Sequence, residues 1–368
     1  MGYRADYEKA LITMFPDILS TNEISRKQIT EYVDKTHSAW PTWLTANAVR
    51  RGVYQFRNVV ALAPKESPAE APRPAVKPIV SAMRSSTSLV PSVDKNYVSF
   101  GNHKDINAIV KSGIFYPVYI SGPTGNGKST MVEQVCAANK KALIRVNINN
   151  MTDEEHLIGS KTLVDGNVEI VEGPVLIAMR TGATLLLDEI DAGGANTLLC
   201  LQPILEGKPF YFKLANEIVI PAHGFNIFAT ANTKGKGSDD GRYIGTNVLN
   251  EAFLERFAIT MNQDYPKPAI EKRIVVNMMH AHSCYNEEYA NTLVKWAAAI
   301  RKTFDDGGID ELITTRRLVH IVGAYAIFGD AVKAVELCCN RFDDSTRLAF
   351  IDLFDKMTVD TDPIPEAL

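Results

Sequence analysis

The run Gly122-Pro123-Thr124-Gly125-Asn126-Gly127-Lys128-Ser129-Thr130 carries glycines, a lysine and a hydroxyl at the GxxxxGK[ST] spacing of a phosphate cradle. An apolar stretch, FYPVYISG, leads into it, and a helical stretch, KSTMVEQVCAAN, leads out. Backbone N–H groups from Gly125 to Ser129 can therefore converge on phosphate oxygens at the positive end of a helix. The glycines permit close approach and unusual φ angles. Lys128 supplies a point charge for the β- and γ-phosphates of ATP, and the Ser129 hydroxyl is a ligand for Mg²⁺.

A second element, LLLDEID, places Asp188 at the exit of a buried strand, where it can hold Mg²⁺ through water. Glu189 beside it can orient and deprotonate an attacking water, with Asp191 next in line for that role. The segment FATAN ends in Asn232, whose carboxamide can hydrogen-bond both a γ-phosphate and the lytic water. Arg256 in NEAFLERF and Arg316 in TTRRL are candidates for stabilising charge on the transferring phosphoryl oxygens.

These residues require a scaffold of buried parallel strands. FYPVYISG, KALIRVNI, ATLLLDEI and FNIFATAN are continuous apolar runs of the kind such strands need, and helical stretches separate them. The alternation predicts an α/β core with a parallel sheet, a P-loop nucleoside-triphosphatase architecture, over residues 93–265. From about residue 267 the pattern is helical, so 266–368 reads as a helical lid and C-terminal tail. Five prolines crowd positions 64–78, which makes 61–92 a tether.

Residues 1–60 form a small α-rich, winged-helix-like module with a Ser25–Gln28 capping box. Its edge interleaves Arg50, Arg51 and Arg57 with Tyr54 and Phe56, a pattern suited to a partner or to nucleic acid. Its acidic residues nearly balance its basic ones, which favours protein docking.

Composition narrows the rest. With 46% hydrophobic and 22% charged residues, the 368-residue chain has ordinary globular usage. The balance of 39 Lys+Arg against 43 Asp+Glu argues against wholesale polyanion binding. Scattered cysteines, no signal-peptide pattern and no apolar run of spanning length predict a reduced, cytoplasmic protein without membrane contact. His280, His282 and Cys284 sit two apart, so on a helix they diverge and do not form a zinc site.

The whole set resembles an AAA+ ATPase of the MoxR/dynein-related branch, closest to the CobS-like ATPase subunits of aerobic cobaltochelatases, forms of which also occur in phages. The resemblance rests on GPTGNGKST, RVNIN, LIGSKTLVDGNVEIVEGP, LLLDEIDAG, ILEGK and FATANTKGKGSDDGRYIGTNVLNEAFLERF, and spans roughly residues 95–330. It implies a homo-oligomer, a hexameric ring with ATP at the subunit interfaces, and a von Willebrand factor A-type protein partner. Asn232 would then be sensor 1, Arg256 an arginine finger acting in trans, and Arg316 sensor 2 on the lid. Arg317 competes for the last role and Arg242 for the finger. TLVDGNVEIV and YFKLANEIVI would be pore hairpins, the first with a DG turn signal. The resemblance implies a ring motor that remodels or drives a partner, with metal chelation as a narrower form. A nucleic-acid-associated translocase using residues 1–60 is the alternative.

Overall fold

The computed structural model describes residues 3–45, 47–55, 88–164, 166–237 and 245–359. The chain divides into two compact units, Met1–Lys77 and Pro78–Leu368.

In the first unit, α1 (Tyr3–Met14) precedes β1 (Glu23–Ser25), α2 (Arg26–Thr36), β2 (Ala48–Arg50) and β3 (Val53–Gln55). The strands form an antiparallel sheet in the order β1-β3-β2. The expected capping box opens α2: Gln28 N–H donates to Ser25 Oγ, and Ser25 N–H donates to Gln28 Oε1 at 2.9 Å. Ile29 and Tyr32 then face a small core with Tyr7, Leu11 and Ile24. Arg50, Arg51 and Tyr54 lie on or beside the β2–β3 hairpin, with Arg50 paired to Glu23 at 3.1 Å. Phe56 and Arg57 lie outside the described residues.

The second unit begins inside the stretch expected as a tether. The Leu89 carbonyl accepts from Leu143 N–H at 2.9 Å, and the Leu89 side chain packs on the core. An apolar residue among the prolines and serines therefore ties 88–92 to the body; the rest of the expected tether, from 61 to 87, lies outside the described residues.

After α3 (His103–Ser112) come β4 (Val118–Ser121), α4 (Lys128–Ala138) and β5 (Leu143–Asn147). The hairpin β6 (Gly159–Val164) and β7 (Asn167–Glu172) follows, then α5 (Pro174–Thr181) and β8 (Thr184–Asp188). A second hairpin, β9 (Phe210–Phe212) and β10 (Glu217–Val219), precedes β11 (Asn226–Ala231) and β12 (Ile259–Asn262). Five strands form one parallel sheet ordered β12-β4-β11-β8-β5. Its strands are buried on both faces: Leu185 and Leu187 enter one core, while Leu186 enters the other with Val118 and Phe228. Two-sided burial explains why these strands read as unbroken apolar runs.

The C-terminal helical segment, expected as a lid, comprises α6 (Pro268–Ala281), α7 (Glu287–Asp305), α8 (Thr315–Phe328), α9 (Ala331–Cys339) and α10 (Asp344–Val359). Its core centres on Trp296, fully buried against Phe350 and Phe354, with Nε1 donating to the Phe350 carbonyl at 2.8 Å. Among the described residues no helix is long and apolar enough to cross a membrane.

Candidate functional site

The phosphate-cradle loop leaves β4 and ends at Gly127, which caps α4 at φ +86°. Gly122 is required by a close approach: at φ +149°, a Cβ there would lie 2.0 Å from the Gln263 carbonyl oxygen. That carbonyl also accepts from Asn126 Nδ2, so the Asn126 side chain braces the loop against the end of β12. Lys128 is buried and folds back onto its own loop, donating to the carbonyls of Gly122 at 2.6 Å and Pro123 at 2.9 Å. Burial pulls its pKa down to about 8; the charges of Asp191 and Asp188 oppose that, and Arg316 adds to it.

A polar cavity of about 260 Å³ opens over the loop. Thr124 to Thr130, Arg145, Asn147, Asp188, Glu189, Thr230, Asn232 and Arg316 line it. The parallel register brings these together, since β5, β8 and β11 all end at the same edge of the sheet as the loop. Gly122 and Pro123 sit behind the cavity, and their carbonyls hold Lys128.

Asp188 is almost fully buried. Its Oδ1 accepts from Ser129 Oγ at 2.6 Å and from Thr230 Oγ1, and its Oδ2 accepts from Arg145. Burial alone would raise the carboxyl pKa; the two hydroxyl hydrogen bonds and the arginine outweigh it and hold the pKa below the usual range. Glu189 is exposed to the cavity at φ +58°, a left-handed backbone anchored by its N–H on Thr230 Oγ1 at 3.3 Å. Strain of that kind collects where a side chain must be aimed. Asn232 Oδ1 lies 3.3 Å from Lys128 Nζ.

Asp191 is fully buried and cannot act as a standby base. Its Oδ2 accepts from the N–H groups of Asn232 at 3.0 Å and Thr233 at 2.9 Å, and from Thr233 Oγ1 at 2.9 Å. It pins the strand end that carries Asn232. Arg145, Thr230 and Gln263 also escaped the sequence reading. Arg145 left a signal, a charge inside the otherwise apolar run KALIRVNI.

The C-terminal helices reach the cavity through Arg316. Its N–H donates to the Gly125 carbonyl at 3.2 Å, and Thr314 beside it crowds Gly125. Arg317 instead lies near Cys338, where its charge opposes the upward push that burial gives that thiol's pKa. Arg256 does not line the cavity; it bonds Glu206 Oε1 at 2.9 Å and the Ala252 carbonyl. Arg242 lies outside the described residues.

Asp188, Ser129 and Thr230 offer only oxygen atoms, which suits a hard divalent cation such as Mg²⁺. Ser129 and Asp188 would hold it, with substrate phosphates supplying further oxygens. Among the described residues no three His, Cys, Asp or Glu side chains cluster as a metal site, and His280 stacks on Tyr285.

The AAA domain of the dynein-related subfamily matches residues 117–257, the segment that carries the loop, β8, β11 and Arg256. The chain belongs to the dynein-related AAA family. A relative, the aerobic cobaltochelatase subunit CobS of Sinorhizobium sp, is 29% identical over 275 residues, 73% of this chain and 82% of that protein. An uncharacterised protein of Staphylococcus epidermidis is 33% identical over 200 residues, 53% of this chain and 72% of that protein. The solved Thermotoga maritima RuvB Holliday junction branch migration motor aligns at 13% identity and TM-score 0.43, over 68% of this chain and 73% of that one. As an AAA protein the chain is a nucleotide-binding P-loop ATPase with a parallel core sheet and helices.

Proposed function

We propose that this chain is an ATP-hydrolysing motor subunit, Mg²⁺-dependent, that forms a homo-oligomeric ring in the cytoplasm and drives a protein partner. One observation carries the reading. Lys128, Ser129, Asp188, Glu189, Asn232 and Arg316, drawn from a loop, two strand ends and the lid, line a single cavity.

The loop N–H groups bind the phosphates, and Lys128 exchanges its loop carbonyls for phosphate oxygens. When bound, Mg²⁺ neutralises charge on the phosphates. Glu189 accepts the proton of the attacking water, and Asn232, fixed by Asp191, orients that water against the γ-phosphate. Arg316 stabilises the developing charge from the lid side, so lid position and turnover are coupled. Arg256, directed away from its own cavity, would serve that of a neighbouring subunit.

The similarity to CobS, a cobaltochelatase subunit, supports a narrower form in which the partner belongs to a metal-inserting assembly. By the same resemblance the partner is of von Willebrand factor A type, with residues 1–60 as the docking module and the two hairpins as contact elements. Calorimetric titration with ATP and Mg²⁺ tests the nucleotide assignment. Wild-type protein is expected to bind, and Lys128→Ala to lose binding because the charge facing the phosphates is gone; tight binding by Lys128→Ala would refute the assignment.

A further inference from the structure

Arg145 projects from the edge strand β5 into the same cavity, and two carboxylates share it. One guanidinium nitrogen donates to Glu133 Oε1 at 2.7 Å, and another donates to Asp188 Oδ2. Glu133 stands one helical turn after Ser129 on α4, so the Ser129 hydroxyl and the second carboxylate share one helix face. Asp188 Oδ1 is already occupied by the hydroxyls of Ser129 and Thr230. Oδ2 is therefore the oxygen left for a cation or for its hydration water, and the arginine sits on it.

Two positive groups cannot share that oxygen without repulsion at close range. The Asp188 side chain is only 7% exposed, whereas that of Arg145 is 47% exposed and free to swing. Glu133, on the outer side, offers a second anchor that needs no new contact. Without metal, Arg145 also neutralises a carboxylate that would otherwise repel incoming phosphates.

We propose that Arg145 is a counter-ion gate, paired with Asp188 until Mg²⁺ arrives with the nucleotide and then passing wholly to Glu133. This inference rests on the Mg²⁺–ATP reading of the cavity. It makes metal entry and arginine release one event. Asp188 is then poised to discriminate nucleotide that carries metal from nucleotide that does not.

Titration with ATPγS in Mg²⁺ and again in EDTA yields a metal advantage, the ratio of the two dissociation constants. Arg145→Ala removes the competitor and exposes Asp188, so the ratio rises about tenfold, the scale of a charged hydrogen bond. Glu133→Gln removes the second anchor, leaves the arginine on Asp188, and lowers the ratio about threefold, as for a partly exposed ion pair. The opposite signs distinguish a gate from a phosphate clamp, whose loss would weaken binding equally in both conditions. An unchanged or lowered ratio for Arg145→Ala, or a raised one for Glu133→Gln, overturns the gate. Absence of ATPγS binding by wild-type protein in both conditions overturns the nucleotide reading itself, and the gate with it.

Discussion

Lys128 is bound to carbonyls of its own loop, in a site dry enough to pull its pKa down to about 8. Phosphate oxygens favour the charged amine, so nucleotide raises that pKa again. Above about pH 8 Lys128 on its loop carbonyls has lost the proton that it holds against phosphate, and binding must take one up. We expect ATPγS affinity to fall as pH rises beyond 8, by up to about tenfold per unit. Calorimetry in buffers of different ionisation enthalpy should give a larger proton uptake at pH 9 than at pH 7. Equal uptake at both pH values would show that Lys128 keeps its proton in the empty loop. The residue types of the cradle were legible because Gly, Lys and Ser act there through local spacing. Asp191 was not: its role depends on N–H groups some forty positions away, which only the β8–β11 register brings to it.

At the scale of elements, the loop is shaped by strands on either side of it. Gly122 lies against the Gln263 carbonyl just beyond β12, a backbone atom that no rotamer change can move. Gly122→Ala should therefore destabilise the core by about 3 kcal/mol, at the upper end for overpacking, and weaken nucleotide binding. Gly166→Ala, at the β6–β7 turn with φ +80° and nothing within 4 Å, should cost only about 1 kcal/mol of backbone strain. Urea unfolding of the two variants checks the contrast; equal losses would mean that the clash is relieved by sheet movement. The two-sided strands were legible from their apolar runs, and the first hairpin from its DG turn. β12 was not, because ITMN is short and half polar, and pairing with β4 alone makes it a strand.

For the whole molecule, the arginine that the resemblance marks as the finger lies outside its own cavity. Arg256 is held by Glu206 and the Ala252 carbonyl, so its proposed work is at a neighbour's site. Arg256→Ala and Lys128→Ala should each be inactive, the first in the adjacent pocket and the second in its own. Mixed together, they should rebuild interfaces that pair an intact pocket with an intact finger. An arginine in trans is worth about 10³–10⁵ in turnover, so a few such interfaces rise above background. Light scattering must first show mixed assemblies; background activity in these would move the finger to Arg242 or to a residue acting in cis. Interfaces of this kind leave no mark in one chain's spacing, which is why ring assembly entered through resemblance while the pocket entered through residues.

The central claim is that Glu189, aimed by a left-handed backbone into the cavity beside Asp188, is the base that activates water on bound ATP. Single-turnover hydrolysis by wild type and Glu189→Gln, with ATP binding measured on the same samples, tests it directly. The amide keeps the shape but cannot accept the proton. The variant should bind ATP as wild type does and hydrolyse it about 10²–10⁴-fold more slowly. Hydrolysis by Glu189→Gln at the wild-type rate, with binding intact, would contradict the claim.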